Sequence, residues 1–299
     1  VDLRTGELRP HRREALLTKL APVVYDPQAR SEVWEKFLSR ILPDAELRAF
    51  VQRALGYSIA GVTHEEVLFF PYGPTATGKS TLVCAVAAAL GEYALTADFA
   101  TFLARDRVMG GPRNDIAQLD GRRFVLSLEV DEGTHLAEAV LKQLTGGDAV
   151  RARFLYQESF EFLPTFTLWL TANHRPRVRD DDDAIWRRIL QIAFDQQIPQ
   201  AERDPQVKAM LRDHTRSGAA ILAWLVQGCL VWQREGLRVP KAVTDTTQEY
   251  RNEMDPLRDF LVERCTVNGA EKTTKAALWT AYEGWAKATG ARALGSRQF

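Results

Sequence analysis

The clearest chemistry in the chain lies in Gly73-Pro74-Thr75-Ala76-Thr77-Gly78-Lys79-Ser80, followed by Thr81. The spacing fits G-x-x-x-x-G-K-[ST], the pattern of a loop that cradles phosphate groups. Gly73 and Gly78 let backbone N–H groups turn inward around an anion. A helix starting after the loop aims its positive dipole end at the same anion. Lys79 reaches the β and γ phosphates of a nucleoside triphosphate, and Ser80 offers a hydroxyl to Mg²⁺. The context agrees. An apolar run, residues 67–70, precedes the loop, and an Ala/Leu/Val-rich stretch to about Leu90 follows it.

A phosphate loop that hydrolyses its nucleotide needs a carboxylate at the end of a neighbouring strand, to hold metal-bound water or take a proton from the attacking water. The run RFVLSL ends in Glu129, with Asp131 and Glu132 close behind. The run FTLWLT ends in Ala172-Asn173-His174, and an amide there can hold the attacking water. Asn is also an ordinary residue at a strand end. Arg187 and Arg188 stand directly before another apolar run, after the acidic run 180–183, which reads as solvated spacing. In ring ATPases such an arginine stabilises charge at a neighbour's phosphate.

These groups need a frame. Strand-like runs at 67–70, 123–128, 166–171 and 189–194 alternate with helical ones, which predicts a parallel sheet covered by helices. Trp34, Phe37, Leu38 and Ile41 recur at helical spacing, and a second helix is expected from Asp44 to a stop at Gly56. A helix is expected over 135–144, and from Pro205 the chain reads as helical, with a very apolar stretch at 217–235. Pro240 opens another helix to about Met254. Leu257, Phe260 and Leu261, then Leu278, Tyr282 and Trp285, repeat at helical spacing, and a third helix opens at 296–299.

The chain has 299 residues, 45% hydrophobic and 26% charged, enough for a full core and unlike a disordered segment. Lys+Arg and Asp+Glu both number 39, which excludes a uniformly basic nucleic-acid binder but not local basic loops. Cys84, Cys229 and Cys265 are widely spaced, unlike a disulfide framework or a zinc site, and point to a reducing compartment. No apolar run is long enough to cross a bilayer.

Taken in order, the motifs resemble a superfamily 3 helicase of the AAA+ type, and more closely the helicase half of phage, plasmid and poxvirus primase-helicases. The resemblance is carried by the phosphate loop and by LDGRRFV at 119–125. It continues through Glu129, KQLTGGD at 142–148, ARFLY at 152–156, FLPTFTLWL at 162–170, Asn173-His174 and DAIWRR at 183–188. Thr77 departs from the Asn usual in the loop, and Val130 breaks an adjacent acidic pair.

The resemblance implies an α/β fold: a P-loop, AAA+-type parallel sheet with flanking helices. It implies an N-terminal helical oligomerisation region at 1–65, an ATPase core at 66–200 and packing helices at 201–254. The start of a truncated winged helix follows at 255–299. It implies ATP and Mg²⁺ as ligands, with Ser80 and Glu129 on the metal. Lys79, Glu129, Asn173 and Arg187 form the catalytic set, Arg187 acting in trans and Arg188 the weaker candidate. A β-hairpin within 142–160 would grip single-stranded or forked DNA through Arg153, helped by Arg151, Phe154, Tyr156 and Lys142; a cross-strand charge partner is the plainer reading of Arg153. Arg113 also matches a family arginine without a clear role. Partners would be further copies of the chain, six in the family expectation, and a primase domain N-terminal to it. The setting would be the cytoplasm of a bacterial host, the gene carried by a phage or plasmid, with no membrane. Two other functions compete: an ATP-bound assembly or origin-binding module that does not unwind, and a small-molecule kinase with an Arg-rich lid.

Overall fold

Ser31 and Asp44 set the first two helices. The Ser31 hydroxyl accepts the Trp34 N–H at 3.4 Å and opens α1 (Glu32–Ile41). The Asp44 carboxylate accepts the N–H groups of Glu46 and Leu47 at 2.7 and 3.0 Å and opens α2 (Ala45–Ala60). The computed structural model describes residues 1–104, 113–129, 133–178, 183–255, 257–266 and 272–289. The chain forms two units, residues 1–247 and 248–299.

In the first unit, β1 (Leu68–Tyr72) leads through the phosphate loop into α3 (Lys79–Leu90). There follow β2 (Ala94–Thr96), α4 (Asn114–Ala117), β3 (Phe124–Leu128), α5 (Glu138–Thr145), β4 (Val150–Ala152), β5 (Phe160–Phe162) and β6 (Thr167–Thr171). The unit continues with α6 (Asp183–Trp186), β7 (Ile189–Ala193), α7 (Pro205–Arg212), α8 (Ala219–Glu235) and the start of α9 (Lys241–Met254). Five strands form one parallel sheet in the order β2-β3-β6-β1-β7, while β4 and β5 pair antiparallel as a separate ribbon. The expected α/β class, a parallel sheet with flanking helices, is the observed one.

One face of the sheet carries Phe69, Phe124, Leu126 and Trp169 into a core shared with Trp34, Phe50, Leu82, Val86 and Leu225 from the surrounding helices. The Trp169 indole N–H donates to the Ser58 hydroxyl at 2.9 Å, so its one polar atom is satisfied inside this core. Helix α9 docks against β7. The Gln191 N–H donates to the Thr247 hydroxyl at 3.0 Å, the Thr246 hydroxyl donates to the Gln191 carbonyl at 2.9 Å, and the Gln191 amide donates to the Thr246 carbonyl at 3.0 Å.

The second unit holds α10 (Arg258–Arg264) and α11 (Lys275–Thr289). Phe260, Tyr282, Trp285 and Ala286 form its small core, and the Trp285 indole donates to Glu263 at 2.8 Å. The helix expected at 296–299 lies outside the described residues.

Several boundaries differ from expectation, each for a local reason. Gly56 does not stop α2, which runs on to Ala60 and ends at left-handed Gly61 (φ 76°). Gly56 is there for closeness: a Cβ would lie 2.1 Å from the Cys229 nitrogen in α8. Gly228 faces the other way, its Cβ position 2.1 Å from the Gln52 carbonyl oxygen. Strand β1 runs through Pro71, whose carbonyl still accepts the Ala172 N–H at 3.2 Å. Helix α5 begins at Glu138 rather than at residue 135, because His135 and Leu136 bridge to Arg177 and Leu103 in extended backbone. Strand β2 was not expected; three residues are too short to show a period.

These glycines set up a test with opposite signs. Gly56→Ala should destabilise by about 1–3 kcal/mol, since α2 and α8 must part. Gly284→Ala in α11, where a Cβ meets nothing within 4 Å, should stabilise its helix by about 0.5–1 kcal/mol, the ordinary helical preference. Urea unfolding followed by circular dichroism compares both with the parent chain.

Candidate nucleotide-binding site

The phosphate loop is shaped by backbone that few side chains tolerate. Gly73 has φ 147°, Ala76 60° and Gly78 86°. At Gly73 a Cβ would lie 2.3 Å from the Phe194 carbonyl oxygen, just past β7. At Gly78 it would lie 2.5 Å from the Ile41 side chain of α1. Further clamps come from the Ile198 N–H, donating to the Ala76 carbonyl at 2.9 Å, and the Gln197 amide, donating to the Thr75 carbonyl at 3.2 Å. Pro74 and Thr75 are exposed at the crown of the loop, while Ser80 and Thr81 are half-buried on the first turn of α3. Gly78 gives that helix no side-chain cap, so its leading N–H groups are left for an anion.

Lys79 is 4% exposed. Its ammonium donates to the carbonyls of Gly73 (2.7 Å) and Pro74 (2.6 Å) and to the Thr77 hydroxyl (3.1 Å). Thr77 in turn donates to the Pro74 carbonyl at 3.1 Å. Sequence reasoning gave Thr77 no part beyond lining the loop; here it helps to anchor Lys79. Burial pushes the Lys79 amine down to about 8, against the pull of its three acceptors, which favour the charged form.

Parallel pairing delivers the other groups. Tyr72 is bridged to Ala172, and Leu128 stands opposite Thr171. Gly73 just after β1, Glu129 just after β3 and Asn173 two residues after β6 therefore end on one edge of the sheet. Glu129 is exposed and has left-handed backbone (φ 64°), with its N–H donating to the Thr171 carbonyl at 2.9 Å. A non-glycine residue in that conformation stores about 1 kcal/mol or more and tends to mark functional positions. Asn173 is half-buried and His174 exposed. Asp131, Glu132 and the acidic residues 180–182 lie outside the described residues.

Arg175 was not singled out by sequence. Its guanidinium carbon lies 4.5 Å above the centre of the Tyr72 ring, beside the start of the loop, and its Nε donates to the Gln191 carboxamide at 3.0 Å. Only its position two residues beyond Asn173 could have signalled this.

The two arginines before β7 separate cleanly. Arg188 donates to the Ala184 carbonyl (2.7 Å) and to Glu66 (2.6 Å). Arg187 is exposed. Because Ile189 pairs with Leu68, Arg187 lies at the opposite edge of the sheet from Gly73, roughly 20 Å away at strand rise. It does not reach the loop of its own chain.

The ribbon of β4 and β5 also leads into that far edge, since β5 feeds the start of β6. Arg151 is exposed opposite Glu161, while Arg153 and Tyr156 are exposed on the connecting turn, Tyr156 by 97%. Lys142 is half-buried on α5 and has an interaction partner. Arg113 is engaged with Asp115 at 2.9 and 3.1 Å and with the Thr101 carbonyl at 3.2 Å, which assigns it a structural part.

A phosphate loop on the turn from β1 to α3, in a parallel sheet with helices on its faces, defines the P-loop class of α/β folds. Comparison with known proteins narrows the class. A family described as "D5 N terminal like" matches residues 1–43, and a family of unknown function, DUF5906, matches residues 72–188. A protein of Acanthamoeba polyphaga mimivirus whose name proposes a helicase, L207/L206, is 29% identical over 239 residues, 75% of this chain and 25% of that protein. A similarly named protein of Frog virus 3, 022R, is 26% identical over 84% of this chain and 27% of its own length. The chain thus spans about a quarter of these relatives. The C terminal region of NrS-1 shares the fold, with TM-score 0.57 and 16% identity over 82% of this chain and 59% of that one. By sequence the chain resembles viral proteins whose names propose helicases, and by fold it resembles the NrS-1 region. Among the described residues no helix is long and apolar enough to cross a membrane.

Lys79 gives a pH test that needs no ligand. Its folded value, about 8, lies below the ordinary 10.5. Between these values the unfolded chain holds the proton more tightly, so the contribution of this group to stability rises with pH. Lys79→Met should remove that slope. Unfolding free energies of both proteins, measured from pH 7.5 to 10, are predicted to converge as pH rises.

Proposed function

We propose that this chain is the ATP-driven motor of a DNA helicase within a longer primase-helicase, working as a ring of identical subunits. The reading rests on one observation above the rest: the two edges of the sheet carry different equipment. The phosphate loop, Glu129 and Asn173 share one edge, while Arg187 and the basic, aromatic ribbon stand towards the other. A motor needs both, and an arginine so far from its own loop suits a neighbour's.

The residues present fit a nucleoside triphosphate with its metal. The constrained glycines leave an uncapped helix start and a buried ammonium facing one loop. Ser80 and Glu129 would hold Mg²⁺, which neutralises charge on the phosphate oxygens. Lys79, whose three N–H groups go to two carbonyls and Thr77 within the loop, would turn from these acceptors to bind the β and γ phosphates. Asn173 orients the attacking water and Glu129 accepts its proton. Arg187 of a neighbouring copy stabilises the charge that develops on the transferred phosphate. Arg153 meets strand phosphates and Tyr156 offers a ring face to bases or sugars. DNA-stimulated turnover is what separates this reading from the assembly module and the kinase.

Steady-state ATP hydrolysis, measured with and without single-stranded DNA across a protein concentration series, decides. Hydrolysis should rise cooperatively with concentration and be stimulated by DNA. Lys79→Ala should abolish it, and Arg187→Ala should abolish it while ATP still binds. Arg153→Ala should weaken DNA binding and unwinding. Turnover linear in protein and indifferent to DNA would sink the proposal in favour of a site complete in one chain. Normal turnover by Arg187→Ala in an assembled ring would remove the arginine from its role.

A further inference from the structure

The ribbon of β4 and β5 is too small to hold its own turn. Each strand has three residues, and two-stranded ribbons of that length are marginal alone. Residues 153–159 must nevertheless take one shape if they are to meet a strand of nucleic acid in register.

Within the turn, the Phe154 ring stacks on Phe160 at 5.9 Å and 20°. The Gln157 N–H donates to the Phe154 carbonyl at 3.1 Å. Tyr156 has left-handed backbone (φ 62°) and is 97% exposed. A tyrosine holds that conformation only where its neighbours impose it. On one side the imposed residue is Gln157. On the other it is Leu155, whose N–H donates to the Asn114 side-chain oxygen at 2.7 Å, across 41 residues of sequence. Asn114 is itself braced. It opens α4, its carbonyl accepts the Gln118 N–H at 3.1 Å, and Arg113 beside it ties Asp115 to the Thr101 carbonyl.

We infer that Asn114 is a positioning residue of the hairpin, fixing the turn that presents Tyr156 and Arg153 to a nucleic-acid strand. It touches no nucleic acid; it acts through the Leu155 backbone. The inference rests on the DNA-motor reading above for what the hairpin meets, but not for the contact itself.

Two variants of the full chain test it. Asn114→Ala removes the acceptor and should raise the single-stranded DNA concentration giving half-maximal stimulation of ATP hydrolysis by about 5–10-fold, the loss of one well-made hydrogen bond. The rate at saturating DNA should move much less. Asn114→Asp keeps an oxygen in the same place and should restore half-saturation to within about twofold. In a Tyr156→Ala background, Asn114→Ala should add little, because the two changes disable one device. An unchanged half-saturation in Asn114→Ala overturns the inference. So does a fall in melting temperature that accounts for the whole effect, or a failure of Asn114→Asp to rescue. If the parent chain shows no response to DNA, the motor reading fails, and hydrogen exchange at the Leu155 amide judges the contact by itself. Faster exchange in Asn114→Ala upholds the positioning, and an unaltered rate ends it.

Discussion

Parallel pairing beside β1 is the constraint on which the rest depends. Strands that run the same way must finish on the same edge, and the chain must cross a face of the sheet to begin the next one. That alone gathers Gly73, Glu129 and Asn173, which are separated by dozens of residues in sequence. The same rule sends whatever precedes a strand to the far edge. Arg187 stands before β7 and the hairpin stands before β6, so both are carried away from the loop by topology before any side chain is chosen.

The loop keeps its shape because two distant parts of the chain leave it no room to relax. Phe194 closes on Gly73 from β7, and Ile41 closes on Gly78 from α1. The second contact joins the two regions matched separately by family comparison, since Ile41 falls in the first and Gly78 in the second. Helix α1 is thus part of the wall of the phosphate loop as well as a covering layer. The seat of α2 depends on Gly56 and Gly228, where α2 and α8 approach too closely for any Cβ.

Much of this was legible in the sequence where two signals coincided. The loop was readable because glycines, Lys79 and Ser80 sat between an apolar strand and an apolar helix. The strands that end in Glu129 and Asn173 were readable as continuous apolar runs, as buried parallel strands should be. Failures came where a residue had two possible uses. Gly56 reads as a helix end from propensity alone and proved to be a packing contact with a helix 170 residues further along the chain. His135 and Leu136 open a run that reads as helical to residue 144, but both are taken by extended bridges. Thr77 and Arg175 act through particular neighbours, Lys79 and the Tyr72 ring, and no periodicity reports such pairings.

The docking of α9 bears on how copies of this chain could join. At Gln191 the outward-facing N–H and carbonyl of β7 are both occupied by threonine side chains. A strand from another molecule finds no ladder to extend at that point. Any contact made at Gln191 falls to side chains and not to backbone.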